Sequence, residues 1–249
     1  MNGEGRSVMS KPYLSIILPA YNEEERLPQT LARIISYFAG REDYEIIIVD
    51  DGSTDATLAL ARNYAAEHPQ IRVVTNGVNR GKGYSVRHGL LVARGRIRLF
   101  SDSDLSTPIE ETPKLLARLE EGFDVAIGSR YSPDAELVRP QPLYRRILRL
   151  GFNLLVRLIT GLCYYDTQCG FKALTEESAA VIAPRLSIPG FGFDPELLWI
   201  AERFGLRVAE VGVKWFDDRR SKVRPLRDAW RMFLDLIRIR LRDLKGKYR

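Results

Sequence analysis

Short apolar runs and longer amphipathic segments alternate along the first half of the chain. The runs Tyr13–Pro19, Tyr44–Val49, Ile71–Thr75, Ile97–Ser101 and Val125–Gly128 are largely apolar and bounded by polar residues. Runs of this kind predict strands covered on both faces. Between them, the patterns over Pro28–Phe38, Asp55–Glu67, Gly83–Ala93 and Ile109–Glu120 predict helices. In the first of these, Leu31, Ile34, Ile35 and Phe38 share a face, and Pro28 sits in the first turn. Ser53 or Thr54 is the expected N-cap of the second. Regular β–α alternation predicts an α/β fold, a mainly parallel sheet with helices on both faces.

The second half is less regular. Leu143–Leu162 reads as an amphipathic helix studded with Arg145, Arg146, Arg149 and Arg157. Pro195–Phe204 reads as a helix and Arg207–Trp215 as a strand. The clearest amphipathic pattern covers Leu226–Leu244: Leu226, Trp230, Phe233, Ile237, Leu241 and Leu244 form one stripe, with Arg227, Arg231, Arg238, Arg242 and Lys245 beside it. The expected division is a polar, disordered tail over 1–11, a main domain over 12–217 and a basic C-terminal helix over 218–249.

Composition narrows the class. With 249 residues, 45% hydrophobic and 28% charged, the chain is neither disordered nor a disulfide-stapled miniprotein. Cys163 and Cys169 lack zinc-site spacing and fit a reduced compartment. His68 and His88 are isolated, which argues against His-based catalysis. No run is long and apolar enough to predict a membrane span. The net charge of +6 is uneven: residues 203–249 hold 15 basic and 6 acidic residues, a local +9 that leaves −3 for the rest. A basic end suits a polyanionic partner such as anionic lipid. No nucleic-acid motif is present, so no nucleic-acid partner is expected.

Chemistry concentrates after three strands. Ligands in such folds sit at the carboxyl ends of the strands. Asn22-Glu23 follows the first, Asp50-Asp51 the second and Asp102-Ser103-Asp104 the fourth. Asp102 and Asp104, two positions apart after an apolar strand, can share a hard cation together with phosphate oxygens; the alternative is a capped turn. Asp50 and Asp51 can accept from a nucleobase and a ribose, or can form a plain strand-to-helix turn. Arg80-Gly81-Lys82-Gly83 lets backbone approach a diphosphate, although it is not a P-loop.

Together the stretches LSIILPAYNEEERLP, EIIIVDDGSTDAT, NRGKGYSVRHGL, LFSDSDLSTP and VAIGSRY resemble the nucleotide-sugar domain of the inverting GT-A glycosyltransferases of family 2. DTQCGFKAL and FGFDPELLWIA make the chain similar to the polyprenol-phosphate subgroup, most of all to the dolichyl-phosphate β-glucosyltransferases. The resemblance covers about residues 13–217 and implies a GT-A, Rossmann-like fold with the C-terminal amphipathic helix appended. It implies a metal-dependent, inverting transfer of glucose from UDP-glucose to a polyprenyl (dolichyl or undecaprenyl) monophosphate; a GDP-mannose or other nucleotide-sugar donor stays open. Pro19, Tyr21, Asn22, Glu23 and Asp50 would hold the uridine end, Asp51 and Lys82 the ribose and diphosphate, and Asp102, Ser103 and Asp104 the nucleotide, with Asp102 and Asp104 on Mg²⁺ or Mn²⁺. Ser106 stands where mannosyl relatives carry a Gln ligand. Arg130 would meet phosphate, Asp166 and Gln168 would sit by the donor sugar, and Arg130 and Asp194 would face the acceptor. Such an acceptor implies attachment to the cytoplasmic face of a membrane through the two basic amphipathic segments; packing or homodimerisation through the last helix is the alternative.

Other readings fit less well. Pro19-Ala20-Tyr21-Asn22 lacks a nucleotidyltransferase's glycine-rich signature, and no QxxRW of processive synthases occurs. Cys169 reads as a packed residue, and Phe191, Phe193, Trp199 and Trp215 as core or lipid-facing side chains.

Overall fold

A computed structural model of the protein describes residues 11–138, 143–216 and 225–249. The tail expected over 1–11 lies, save for Lys11, outside the described residues, as does the boundary expected at 217/218. The elements run β1 (Leu14–Ala20), α1 (Leu27–Tyr37), β2 (Tyr44–Asp50), α2 (Thr57–Glu67), β3 (Ile71–Thr75), α3 (Lys82–Val92), β4 (Ile97–Ser101), α4 (Thr112–Glu120) and β5 (Val125–Ser129). They continue with β6 (Glu136–Leu137), α5 (Leu143–Thr160), β7 (Phe171–Thr175), α6 (Glu176–Arg185), α7 (Phe193–Arg203), β8 (Val208–Gly212), β9 (Lys214–Trp215) and α8 (Pro225–Leu244).

Seven strands form one sheet in the order β3-β2-β1-β4-β7-β5-β8, parallel except that β7 runs against both its neighbours. The mainly parallel α/β architecture is the one the alternation predicts. Side chains alternate across the sheet. Ile16, Leu18, Ile46 and Ile48 pack with Leu31 and Ile34 of α1 and Leu115 of α4. Ile17, Ile47 and Phe100 pack on the other face with Val86 of α3, Ile182 of α6 and Leu197 of α7.

Four local expectations change. The expected N-cap of α2 is displaced: the helix begins at Thr57, whose N–H donates to Asp55 Oδ1 at 3.0 Å, and long-range partners hold the turn before it, Asn22 Oδ1 accepting Thr54 N at 2.8 Å and Glu24 Oε2 accepting Ala56 N at 2.9 Å. The helix expected from Ile109 opens as a 3₁₀ turn over Ile109–Glu111 before α4. The strand expected over Arg207–Trp215 splits at Val213, so that β8 joins β5 in the main sheet and β9 joins β6 in a separate ribbon. Finally, α8 is turned. Its Leu236 and Ile239 enter the core, whereas Trp230 (62% exposed), Leu241 (50%) and Leu244 (77%) of the expected stripe face outward. Leu226 of that stripe lies outside the described side chains.

Tyr248 brings the C-terminus back to the domain. Its hydroxyl donates to the buried Glu196 at 2.7 Å, and Glu196 also accepts Ile188 N at 2.8 Å. α8 is thus tied to the same core as the sheet.

Candidate active site

β2, β1 and β4 are neighbours in the sheet, so the three acidic clusters meet along one edge. The turns there are strained. Among the described residues, only Asn22 (φ 53°) and Leu105 (φ 47°) are non-glycine residues with left-handed backbone, and they lie just beyond β1 and β4. Such a conformation costs on the order of 1–3 kcal/mol and persists where the surroundings over-determine it. Leu105 is held by its buried side chain and by its amide, which donates to Asp102 O at 3.1 Å. The same turn lets Ser106 N donate to Asp104 Oδ1 at 2.9 Å.

Asp50 and Asp51 are buried, and donors already engage both carboxylates. Asp50 accepts from Gly52 N (3.2 Å), Ser53 N (3.1 Å) and Thr75 Oγ1 (3.0 Å). Asp51 accepts from Asn76 Nδ2 (2.7 Å), Arg80 N (3.0 Å) and Gly81 N (2.8 Å). Their geometry is that of turn-formers. Through Asp51 the loop before α3 is fixed, and with it Lys82. Gly81 has φ +100°, and a Cβ there would lie 2.4 Å from Pro189 O, so this loop also needs glycine.

Four cations and five carboxylates then form a charged set. Lys82 Nζ meets Asp102 Oδ1 at 2.5 Å. Arg26 pairs with Glu23 at 2.5 Å and reaches Asp104 at 3.7 Å. Arg130 forms a two-pronged pair with Asp166, at 2.6 and 2.9 Å, and its guanidinium lies 5.5 Å from the Trp215 ring centre. Lys172, wholly buried in β7, bonds Asp194 and donates to Cys169 O at 2.7 Å. The pairing leaves one carboxylate in excess, and Asp104 has the most distant cation of the five.

Burial and this pairing set the protonation states. Burial pulls the Lys82 amine down, but Asp102 and Asp194 outweigh it and hold it above its ordinary value. Burial, then the like charge of Asp102, raises Asp104. Burial also raises Asp194 in spite of Lys172 and Lys82. Against its burial, Asp166 is held below the usual carboxylate range by Arg130. Burial pushes the Cys169 thiol up to about 11, as suits a packed residue.

Asp102 and Asp104 could hold a divalent cation. Their side chains keep 35% and 22% exposure, and a cation would relieve the repulsion that raises Asp104. Among the described residues no three His, Cys, Asp or Glu side chains converge. A cation here would have these two carboxylates as protein donors, and phosphate and water oxygens would complete the shell, as is usual for Mg²⁺. Gly170 makes room for this turn: a Cβ on it would lie 2.2 Å from Asp102 Oδ2, and its carbonyl accepts Asp102 N at 3.0 Å.

The remaining expected residues fall at different depths. Tyr21 is 37% exposed at the end of β1, beyond the buried Pro19. Ser103 is buried and its carbonyl accepts Thr30 Oγ1 at 2.6 Å. Gln168 Nε2 lies 3.7 Å from Met232 Sδ of α8. Asp194, expected on the acceptor side, is 3% exposed and bonded to Lys172. Trp199 and Phe193 are core. Sequence reasoning missed Arg26, Lys172 and Glu210, whose carboxylate accepts Tyr165 N and Asp166 N at 2.9 and 2.8 Å. Lys172 had a signal, a lone charge inside the short apolar run FKALT; Arg26 had none.

Comparison with known proteins agrees with this geometry. The profile described as glycosyl transferase family 2 matches residues 15–176. A dolichyl-phosphate beta-glucosyltransferase of Drosophila melanogaster is 39% identical, over 95% of this chain and 77% of that protein. One of Dictyostelium discoideum is 36% identical, over 98% and 78%. The crystal structure of Mycobacterium tuberculosis glucosyl-3-phosphoglycerate synthase with Mn²⁺, UDP-glucose and phosphoglyceric acid superposes with a TM-score of 0.64 at 25% identity, over 95% of this chain and 80% of that one.

Proposed function

This chain belongs to glycosyl transferase family 2, and from that premise we propose that it transfers glucose from UDP-glucose to a polyprenyl monophosphate, with inversion. The carrying observation is the 36–39% identity, over nearly the whole chain, to dolichyl-phosphate beta-glucosyltransferases. The acceptor's phosphate oxygen attacks the anomeric carbon opposite UDP; the new C–O bond forms as the bond to the diphosphate breaks. The product is a β-linked lipid phosphosugar.

The acceptor phosphate is ionised at neutral pH, so no strong general base is required. Asp166 accordingly stays ionised and acts by fixing Arg130, which faces phosphate. Lys82 leaves Asp102 to meet the charge growing on the diphosphate. Pro19, Tyr21 and Glu23 border the uridine, Gln168 the sugar. Asn22, Asp50 and Asp51 serve the pocket by holding its turns. Asp102 and Asp104 would hold Mg²⁺ or Mn²⁺, which would supply positive charge to offset that of the leaving diphosphate. The Mn²⁺ in the mycobacterial synthase supports this assignment.

The test is a donor panel. Purified protein receives labelled UDP-glucose, GDP-mannose or UDP-GlcNAc with a polyprenyl phosphate and Mn²⁺. Lipid-phase label from UDP-glucose alone is expected; label from GDP-mannose alone overturns the donor and keeps the reaction type.

A lipid acceptor calls for a membrane surface, and no helix among the described residues is long and apolar enough to cross one. α5 and α8 pack together and leave Leu150, Leu154, Leu158, Trp230, Leu241 and Leu244 half or more exposed. These leucines recur at helical spacing beside arginines, the pattern of a helix lying in a bilayer interface. We place the chain there, on the cytoplasmic face, where the free thiols of Cys163 and Cys169 fit a reduced compartment. Wild-type protein should float with anionic vesicles, and a Leu154→Ser/Leu158→Ser/Leu241→Ser/Leu244→Ser variant should remain with the dense fraction. Equal flotation of the two would remove the apolar stripes from the attachment, and a shift of the variant from dimer to monomer would instead mark them as a self-association surface.

A further inference from the structure

A cleft of about 410 Å³ separates α8 from the segment Ser187–Pro189. Ile188, Pro189 and Leu241 give it apolar walls, while Asp235, Arg238, Arg242 and Lys245 give it charge. Arg238 and Arg242 lie four residues apart and so share a helix face, with Lys245 in the turn just after the helix. Arg238 is engaged by Asp235 at 2.8 Å. Arg242 is not matched in the same way. Its guanidinium lies 5.6 Å from the Tyr248 ring centre, and its Nε is buried without a hydrogen-bond partner. A buried donor left unpaired is costly, and an anion seated on this guanidinium would offset that cost. Three cations around one carboxylate also leave the cleft positive.

One wall of the cleft, Ile188 and Pro189, packs against the active-site loop at Gly83 and Gly81, and the cations lie across the cleft at the end of α8. α8 approaches that site at Met232, beside Gln168. Arg242 lies ten residues further on, about 15 Å along a helix. The exposed Leu241 and Leu244 flank the basic residues, so an anion bound here would continue into an apolar surface.

We propose that this cleft binds the phosphate of an anionic phospholipid, with the acyl chains lying along Leu241 and Leu244, as a lipid site separate from that of the acceptor. The proposal rests on the membrane reading above for the source of the phosphate. The same phosphate chemistry could come from free phosphate, and the test separates the two.

Dihexanoyl phosphatidylglycerol, kept below its micelle concentration, is titrated calorimetrically into the full chain, with dihexanoyl phosphatidylcholine and inorganic phosphate as parallel arms. The anionic lipid should bind, and Arg242→Gln/Lys245→Gln should weaken it about tenfold through loss of charge-assisted hydrogen bonds. That variant should keep wild-type turnover on a short-chain acceptor and should still float, through its leucines. Unchanged lipid affinity in the variant overturns the site. Inorganic phosphate binding as tightly as the lipid overturns the phospholipid as ligand. If wild type floats but does not bind the short-chain lipid, the cleft fails while the membrane reading stands; if it binds the lipid but does not float, the reverse holds.

Discussion

Asp104→Asn should lower turnover about a thousandfold, because a cation held there, as proposed, would be worth several kcal/mol to the leaving diphosphate and each 1.36 kcal/mol is tenfold in rate. The fold should survive. Asp104 keeps 22% exposure, and an amide oxygen can still accept Ser106 N. The charge removed is one that burial and Asp102 already disfavour. The melting temperature should therefore stay level or rise slightly, while calorimetry shows UDP binding that no longer responds to Mn²⁺. Asp50→Asn should do the opposite in kind. Its carboxylate accepts two backbone amides and the Thr75 hydroxyl, so its loss should appear first as lower stability. Wild-type turnover in Asp104→Asn would sink the assignment of the cation to this pair.

The contrast between Asp104 and Asp50 also marks how far the sequence could be read. Both are acids just after an apolar strand, and pattern alone gives them equal standing. What separates them is where the donors come from, and Asp50's third donor is on β3, 25 residues away. The parallel strands were legible because a run buried on both faces needs no partner to declare itself. β7 was not: five residues with a lysine at the second position carry too little apolar signal, and its antiparallel setting follows from the sheet. α8 was legible as an amphipathic helix, yet its two apolar faces compete. Leu236 and Ile239 meet the core, and the longer stripe remains outside. Periodicity finds a stripe but does not say what covers it. Arg26 could not be found at all, since its value lies in a 3.7 Å approach to Asp104 across the fold.

Lys172→Met should be the most destabilising single change near the site. It strips a wholly buried cation from a buried carboxylate, Asp194, whose charge burial already disfavours. Breaking such a pair costs about 3–5 kcal/mol, which for a chain of this size lowers the melting temperature by about 6–20 °C. Lys172→Met/Asp194→Asn removes both charges and should recover much of that loss, because the penalty belongs to the orphaned partner. Activity should not return with it. The Lys172 ammonium also holds Cys169 O, in the loop that carries Asp166 and Gln168, and Asp194 contributes to the field that keeps Lys82 protonated. The double variant should thus melt near wild type but turn over at least about tenfold more slowly, with kcat falling more than KM rises, as expected when the lost interaction matters in the transition state. Recovery of stability and turnover together would make the pair a packing device alone. A stable but slow enzyme would show that this buried charge positions the groups that meet the diphosphate and the sugar.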